Sequence, residues 1–259
     1  MISDFDHFET RLARTSDDLK GAQRLRYRVF VEELGGDGDM VDHDQKFEAD
    51  KFDSHFDHLI LVDKRVSPET FDHVAGVYRL VSGEVAEQTS GFYSESEYDL
   101  SVLKSSGRRL LELGRSCLHP NCRGGTAMFQ MWKALGGYIH EHDIELMFGV
   151  ASFHGTDVSK LRQPLAYLHH HHLATEEIRV ISREPQDMNL VARDEIDRLA
   201  AMRATPALIK AYLRLGGTVG QGAFVDRAFN TTDVCLLLDT KAMSARQKAI
   251  YSSVPKTGT

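Results

Sequence analysis

Near the middle of the chain an apolar run, RLLELGRSCLH (109–119), is followed by PNCRGG and then by TAMFQMWKALGGYIHE (126–141). The run has the length and the turn-bounded setting of a buried strand. The segment after the turn carries Met128, Met131, Trp132 and Leu135 at helical spacing, so one apolar stripe faces a core. A strand that turns through Arg123-Gly124-Gly125-Thr126 into a helix leaves few options for the chain around it. Such a turn aims backbone N–H groups and the positive end of the helix dipole at one point, where a phosphate fits. The same Gly pair also serves a plain tight turn, and the local sequence leaves both uses open.

On both sides of this unit the hydrophobic period switches between 2 and 3.6. Phe8 to Ala13 reads as a first strand. Ser16 reads as the N-cap of a helix reaching about Glu33, with Leu19, Gln23, Arg26 and Phe30 on one face, and Gly35-Gly36-Asp37-Gly38 stops it. Residues 39 to 57 are acidic and loop-like. HLILVD (58–63) and HVAGVYRLV (73–81) read as paired strands around a turn at Ser67-Pro68-Glu69. Residues 94 to 105 read as a short helix with an exposed acidic start. ELMFGVASF (145–153) reads as a buried strand, 157 to 172 as a helix and 178 to 183 as a strand. Residues 184 to 203 read as a helix or a flexible insert. Thr205-Pro206 opens a helix over ALIKAYLRL that Gly216-Gly217 ends. GTVGQGAFVD and TDVCLLLDT close the chain as strands, with Asn230 in the turn. No repeat and no Pro/Ser-rich linker interrupts the pattern. The expectation is a single domain over 1–259, its last dozen residues a tail. Its class is α/β (α+β), a mixed and mostly antiparallel sheet flanked by helices.

Composition narrows the functions on offer. The 259 residues carry 31 Lys+Arg against 38 Asp+Glu, a net charge of −7, which disfavours nucleic acid as a partner. Apolar residues at 42% and charged residues at 27% describe a globular chain rather than a disordered one. No stretch approaches the roughly 18 apolar residues of a membrane helix. The N-terminal MISDFDHFETRLAR has acids where a secretion signal has bases, so a cytoplasmic protein is expected. Cys117, Cys122 and Cys235 are too few, and odd in number, for a disulfide framework. His169–His172 cannot all face one metal on a helix, since only residues three or four apart share a face. With no carboxylate or Cys at ligand spacing nearby, no metal is expected there, and the tetrad reads as a helix C-terminal cap.

The strand–turn–helix unit resembles that of the GNAT N-acyltransferase superfamily, where the corresponding turn holds the pyrophosphate or phosphopantetheine of an acyl donor. Arg123-Gly124-Gly125-Thr126-Ala127 is a shortened form of the usual pattern, which points away from coenzyme A itself. A second set is Arg26-x-x-x-Phe30, Glu33-Leu34-Gly35, Asp50-x-x-Asp53, Arg79 and Glu112-x-x-Arg115. Its order resembles the acyl-homoserine-lactone synthases, which use acyl carrier protein thioesters, although Gly36 stands where a Trp usually follows. A third set, FGVASFHGTD, LAYLHHHH and PALIKAYLRLGGTVGQGAFVDRAFNTTDVCLLLDT, is similar to the bacterial ornithine Nα-acyltransferases, with Ala228 in place of the usual Asp. The resemblance covers roughly residues 20 to 240. It implies a GNAT-like fold and a 3-hydroxyacyl chain carried on the phosphopantetheine of acyl carrier protein. It further implies L-ornithine as acceptor, lyso-ornithine lipid as product and no other cofactor. The rival enzymes are an acyl-homoserine-lactone-type synthase or another long-chain N-acyl amino acid synthase. A non-catalytic carrier- or lipid-binding module on the same fold is the rival from a different class.

Amide formation needs an amine that has lost its proton, and a positioned carboxylate can take it. Glu112 is the candidate base; paired with Arg115 or Arg79 it is a structural ion pair instead. Asp50 and Asp53 are candidates for holding the acceptor's side-chain ammonium, and Arg26, Arg79 or Arg115 for its carboxylate. The same five residues also suit an ion-pair network that orders a loop, and the two readings are compatible. By analogy with the superfamily, Ser116, Cys117 and Leu118 are expected beside the thioester, with a backbone N–H for the oxyanion. Arg123, Gly124, Gly125 and Thr126 are expected on the donor's phosphate arm. Cys117 itself reads as a small buried apolar residue, not a nucleophile. An acidic carrier calls for a basic patch, with Arg108, Arg109, Arg123, Lys133, Lys160 and Arg162 as candidates, or as an ordinary solvated face. Met128, Phe129, Trp132, Phe148 and the 207–215 helix are expected in an acyl tunnel or in plain core. The apolar face of that helix is also the candidate for loose contact with the inner membrane surface.

Overall fold

Alternate residues of the run DHLILVD enter two different cores. Leu59 and Leu61 pack with Met131, Trp132 and Leu135, whereas Ile60 and Val62 pack with Ala22, Leu25 and Val29. A strand apolar on both faces needs a helix over each, and the computed structural model, which describes residues 7–123, 126–244 and 247, supplies them. Helix α1 (Ser16–Arg26) covers one face and α2 (Thr126–Glu141) the other. After α2 the chain forms α3 (Arg162–His172), α4 (Arg198–Ala204) and α5 (Ala207–Arg214).

The sheet has eight strands. They are β1 (Phe8–Leu12), β2 (Asp57–Asp63), β3 (Val74–Ser82), β4 (Leu110–Leu118), β5 (Leu146–His154), β6 (Thr218–Val219), β7 (Phe224–Asp226) and β8 (Thr231–Asp239). Their order is β1-β2-β3-β4-β5-β8-β6, with β7 also on β8. Every pairing is antiparallel except β4 with β5. This is the mixed, mostly antiparallel sheet flanked by helices that the sequence predicts.

Several local expectations change. Helix α1 is capped by Thr15, not Ser16, because Asp18 lies three residues beyond it. The Thr15 hydroxyl accepts from Asp18 N (3.1 Å) and the Asp18 carboxylate accepts from Thr15 N (3.2 Å). Beyond Arg26 the chain continues to Glu33 as a π-helix, which widens the turn beneath the site described below. Residues 39 to 57 contain a small hairpin, Val41–Asp42 with Phe47–Glu48. The short helix expected over 94 to 105 is broken into a 3-10 turn (Tyr93–Ser96), a strand (Tyr98–Asp99) and a helical turn (Ser101–Lys104). Tyr98 causes the break: it is fully buried and its hydroxyl donates to the carbonyls of Gly222 and Asp233 (3.0 Å each). The strand expected over 178 to 183 shrinks to Ile181–Ser182, which pairs with Tyr98–Asp99. Residues 184 to 203 hold a 3-10 turn and the start of α4, with Met188 and Val191 buried. GTVGQGAFVD forms two short strands rather than one, because Gly222 turns the chain at φ +78°.

Candidate active site

Strands β4 and β5 pair at Leu110↔Leu146, Leu111↔Met147 and Glu112↔Phe148, and no further. A Cβ on Gly149 would lie 2.0 Å from the Leu113 carbonyl oxygen, so the close approach at this vertex requires glycine. Beyond it the strands diverge, and a cavity of about 240 Å³ opens between Gly114, Arg115 and Ser116 on one side and Val150, Ala151 and Ser152 on the other. Each strand keeps its outer partner. Strand β5 stays paired to β8 along its whole length. Strand β4 stays on β3 but bulges: Val77 faces Cys117 and Arg79 faces Gly114, so Tyr78 is opposed by both Arg115 and Ser116. Arg115 takes up the extra residue at φ +48°, an uncommon backbone for a non-glycine residue.

Glu112 sits at the vertex and lines the cavity while only 3% exposed. Its carboxylate accepts from Tyr93 N (2.8 Å) and Ser94 N (2.6 Å). Burial pushes its pKa up, against the pull of these N–H groups and of Arg79. The ion pair with Arg115 or Arg79 considered from sequence is replaced by this backbone cradle. A buried carboxylate whose pKa is raised and which borders a cavity can take a proton, since each oxygen keeps a lone pair beyond its backbone bond.

Arg26, Arg79, Asp50, Asp53 and Arg115 come together as expected, with Glu48 as an unforeseen sixth member. Arg26 pairs with Glu48 and with Asp53 (2.7 Å). Arg79 Nη1 bridges Asp50 (2.6 Å) and Asp53 (2.8 Å), and Arg115 bridges Glu48 (3.1 Å) and Asp50 (3.2 Å). The three guanidiniums hold Asp50, Asp53 and Glu48 below the usual carboxylate range despite burial. Arg79 and Arg115 line the cavity; Arg26, Asp50 and Asp53 stand behind them. Asp50 and Asp53 each pair with arginine, so an ammonium reaching them would share them with the guanidiniums. Arg115 lies against the rings of Tyr93 and Phe229 (4.5 and 5.1 Å to the centroids). Phe229 also accounts for Gly36, where a Cβ would meet its ring at 2.9 Å.

The donor-side residues divide. Ser116 lines the cavity. Cys117 turns to the α1 core, where burial pushes its thiol up to about 12, and Leu118 joins the α2 core. Arg123 makes a two-pronged pair with Glu33 (2.6 and 2.7 Å). Gly124 and Gly125 lie outside the described residues, as does the side chain of Thr126, which begins α2. The basic candidates do not share one surface: Arg108 binds Asp239 and Arg109 binds the Asp143 carbonyl, at the end of β4 away from the wedge. Phe148 lines the cavity together with Leu208 and Tyr212 of α5. Trp132 packs beneath on Tyr212, and Phe129 faces solvent, 51% exposed. The apolar face of α5 turns inward, with Ile209 and Tyr212 in the core, because β8 is there to cover it. In the His tetrad, His170 Nε2 donates to the Val191 carbonyl (3.1 Å).

Three acids escaped the sequence reading. Glu97, expected on an exposed helix start, is 3% exposed. Its carboxylate, with those of Asp226 and Asp233, brings ligand atoms within 4.8 Å of one another. Burial and mutual repulsion push Glu97 and Asp233 well above the usual carboxylate range. A signal for Asp233 was present: a charge inside the apolar run TDVCLLLDT on a strand buried on both faces.

Residues 25–133 match the acetyltransferase (GNAT) domain family. The L-ornithine N(alpha)-acyltransferase of Rhodobacter capsulatus is 57% identical over 245 residues, 95% of each chain. The enzyme of that name from Brucella abortus is 39% identical over 249 residues, covering 95% of this chain and 89% of that one. Among solved structures, an N-acyl amino acid synthase from uncultured soil microbes superposes with a TM-score of 0.54 at 12% identity, over 91% of this chain and 92% of that one. The AHL synthase LasI gives 0.51 at 15% identity, over 95% of each. Both share the fold. With the wedge built on a GNAT-like sheet and more than half of all positions shared with one relative along nearly its full length, the chain belongs to the L-ornithine N(alpha)-acyltransferase family.

Proposed function

We propose that the protein joins a 3-hydroxyacyl chain, delivered as a phosphopantetheine thioester on acyl carrier protein, to the α-amine of L-ornithine, giving lyso-ornithine lipid. The observation that carries this reading is the one-sided wedge, with Glu112 at its vertex and the bulge at Arg115 on its wall. The thioester enters between β4 and β5. The acceptor's α-carboxylate meets Arg115, which lines the cavity. Glu112, directly or through one water, takes a proton from the α-ammonium. The freed amine attacks the thioester carbon, and a backbone N–H of the bulged segment stabilises the oxyanion. The C–S bond then breaks and the pantetheine thiolate takes the proton back from Glu112, while the second proton of the attacking nitrogen passes through the freed Glu112 carboxylate to solvent, leaving the neutral amide. No acyl-enzyme is needed, in keeping with the inert Cys117 thiol. The product carries one acyl chain, and the reading places the enzyme in the cytoplasm, at the inner membrane face. Among the described residues no helix is long and apolar enough to cross a membrane. The test is to incubate the protein with 3-hydroxyacyl carrier protein and either labelled L-ornithine or S-adenosylmethionine, with mass spectrometry of the products. The expected result is the Nα-acyl ornithine amide; a lactone from S-adenosylmethionine, or carrier binding with no amide, overturns the reading.

A further inference from the structure

We propose that Glu97, Asp226 and Asp233 form the socket for the acceptor's side-chain ammonium and so set the choice of a diamino acid. This rests on reading the cavity as the acceptor site. Asp226 and Asp233 border the same cavity as Glu112 and Arg115, and Glu97 closes the trio from behind. Glu97 and Asp233 are each only 3% exposed, yet Glu97 Oε2 and Asp233 Oδ1 have no hydrogen-bond partner. Buried acceptors left unmatched cost stability and are rare without a use. Among the described residues none of the three carboxylates forms an ion pair. Asp226 is held in place from the other side, its Oδ1 accepting from Ala228 N (2.8 Å) and Phe229 N (3.1 Å).

The geometry suits a primary ammonium. Its three N–H groups match three converging acceptors. Oxygens about 2.8 Å from a tetrahedral nitrogen stand about 4.6 Å apart, within the 4.8 Å that bounds this trio. A divalent cation is the competing occupant of the same three oxygens, and the experiment below separates the two. The two ends of the cavity then select opposite groups, Arg115 the α-carboxylate and the acidic trio the distal ammonium. The amine left beside Glu112 is the α one, which explains acylation at that position.

The decisive comparison is L-ornithine against L-norvaline, which has the same carbon chain without the distal amine. The full-length protein and 3-hydroxyacyl carrier protein are used throughout. Wild type is expected to favour ornithine by at least ~100-fold in kcat/KM, since a site built for a polar group rejects the analogue lacking it. Asp233→Asn and Glu97→Gln should each cut that ratio by ~10-fold or more, chiefly through the KM for ornithine. Asp226→Asn, at the half-buried member, serves the same purpose should a fully buried variant fail to fold. Folded variants that keep the wild-type ratio overturn the socket while leaving the acyltransferase reading intact. Stoichiometric Mg²⁺ or Ca²⁺ binding to wild type that Asp233→Asn abolishes also overturns it. A wild-type protein that acylates no ornithine at all overturns the earlier reading, and this one with it.

Discussion

Two groups of three carboxylates lie on either side of Arg115, and they are opposites. Glu48, Asp50 and Asp53 face three guanidiniums, and every one is held ionised. Glu97, Asp226 and Asp233 face one another, and burial drives Glu97 and Asp233 towards their neutral forms. The first group has its counter-charges built in, so it fixes the loop around residues 48–53 against α1 and β3. The second is short of positive charge by design of its surroundings. Equal numbers of acids at similar depth thus serve two ends, and what separates them is whether the fold or a ligand supplies the cation.

Breaking the vertex between the two groups has the largest expected effect. Glu112→Gln keeps the side chain's size and one of the two cradle bonds, because its amide oxygen still accepts a backbone N–H, but it removes the proton acceptor. A loss of about 10²–10⁴-fold in kcat is expected with an unchanged folded fraction, read by amide formation and circular dichroism. Near-normal turnover removes Glu112 from the chemistry.

Arg26→Ala strips the balanced group of one guanidinium and leaves Glu48 and Asp53 underpaired in a dry site. The expected cost is about 3–5 kcal/mol in urea unfolding. A loss under about 1 kcal/mol would mean that the network behaves like a solvated surface pair.

The unbalanced group should respond in the other direction. With no cation bound, burial keeps the proton on Glu97 in the folded protein, and repulsion from Asp233, Asp226 and Glu112 adds to it, with Arg115 only partly offsetting them. The unfolded chain releases that proton in the ordinary carboxylate range. The wild type therefore loses stability as pH rises from about 4.5 towards about 9. Glu97→Gln removes the penalty: it should match wild type near pH 4 and exceed it by on the order of 1–2 kcal/mol at pH 8. Equal stability at both pH values would mean that Glu97 is not strained.

Two smaller effects frame the comparison. Cys117→Ala should cost about 1 kcal/mol of stability and spare turnover, since the thiol faces the α1 core. Glu33→Ala frees the half-exposed Arg123 from its pair and should change unfolding by under about 1 kcal/mol. Any rise in KM for the acyl carrier in that variant assigns Arg123 to the donor arm.

Legibility from sequence followed the range of the forces involved. The central strands were plain because their apolar runs are local and unbroken, as in HLILVD and HVAGVYRLV. Helix α5 was plain because Pro206 and Gly216 mark its ends. The segment around Tyr98 is not legible from sequence because its structure depends on carbonyls more than a hundred residues away. In the site, Arg26, Asp50, Asp53, Arg79 and Arg115 were found through a family resemblance in their order along the chain. Glu48 and Glu97 were not, since each sits in an acidic stretch that reads as solvated.

By itself the sequence determined the central strands and the longer helices, and that β4 must turn into α2, because side-chain period and turn chemistry act between near neighbours. Only the tertiary structure decided that β4 and β5 part at Gly149, and which acids meet arginine and which meet each other. Those outcomes depend on backbone approach and on burial, and both arise only when distant parts of the chain close around the same space.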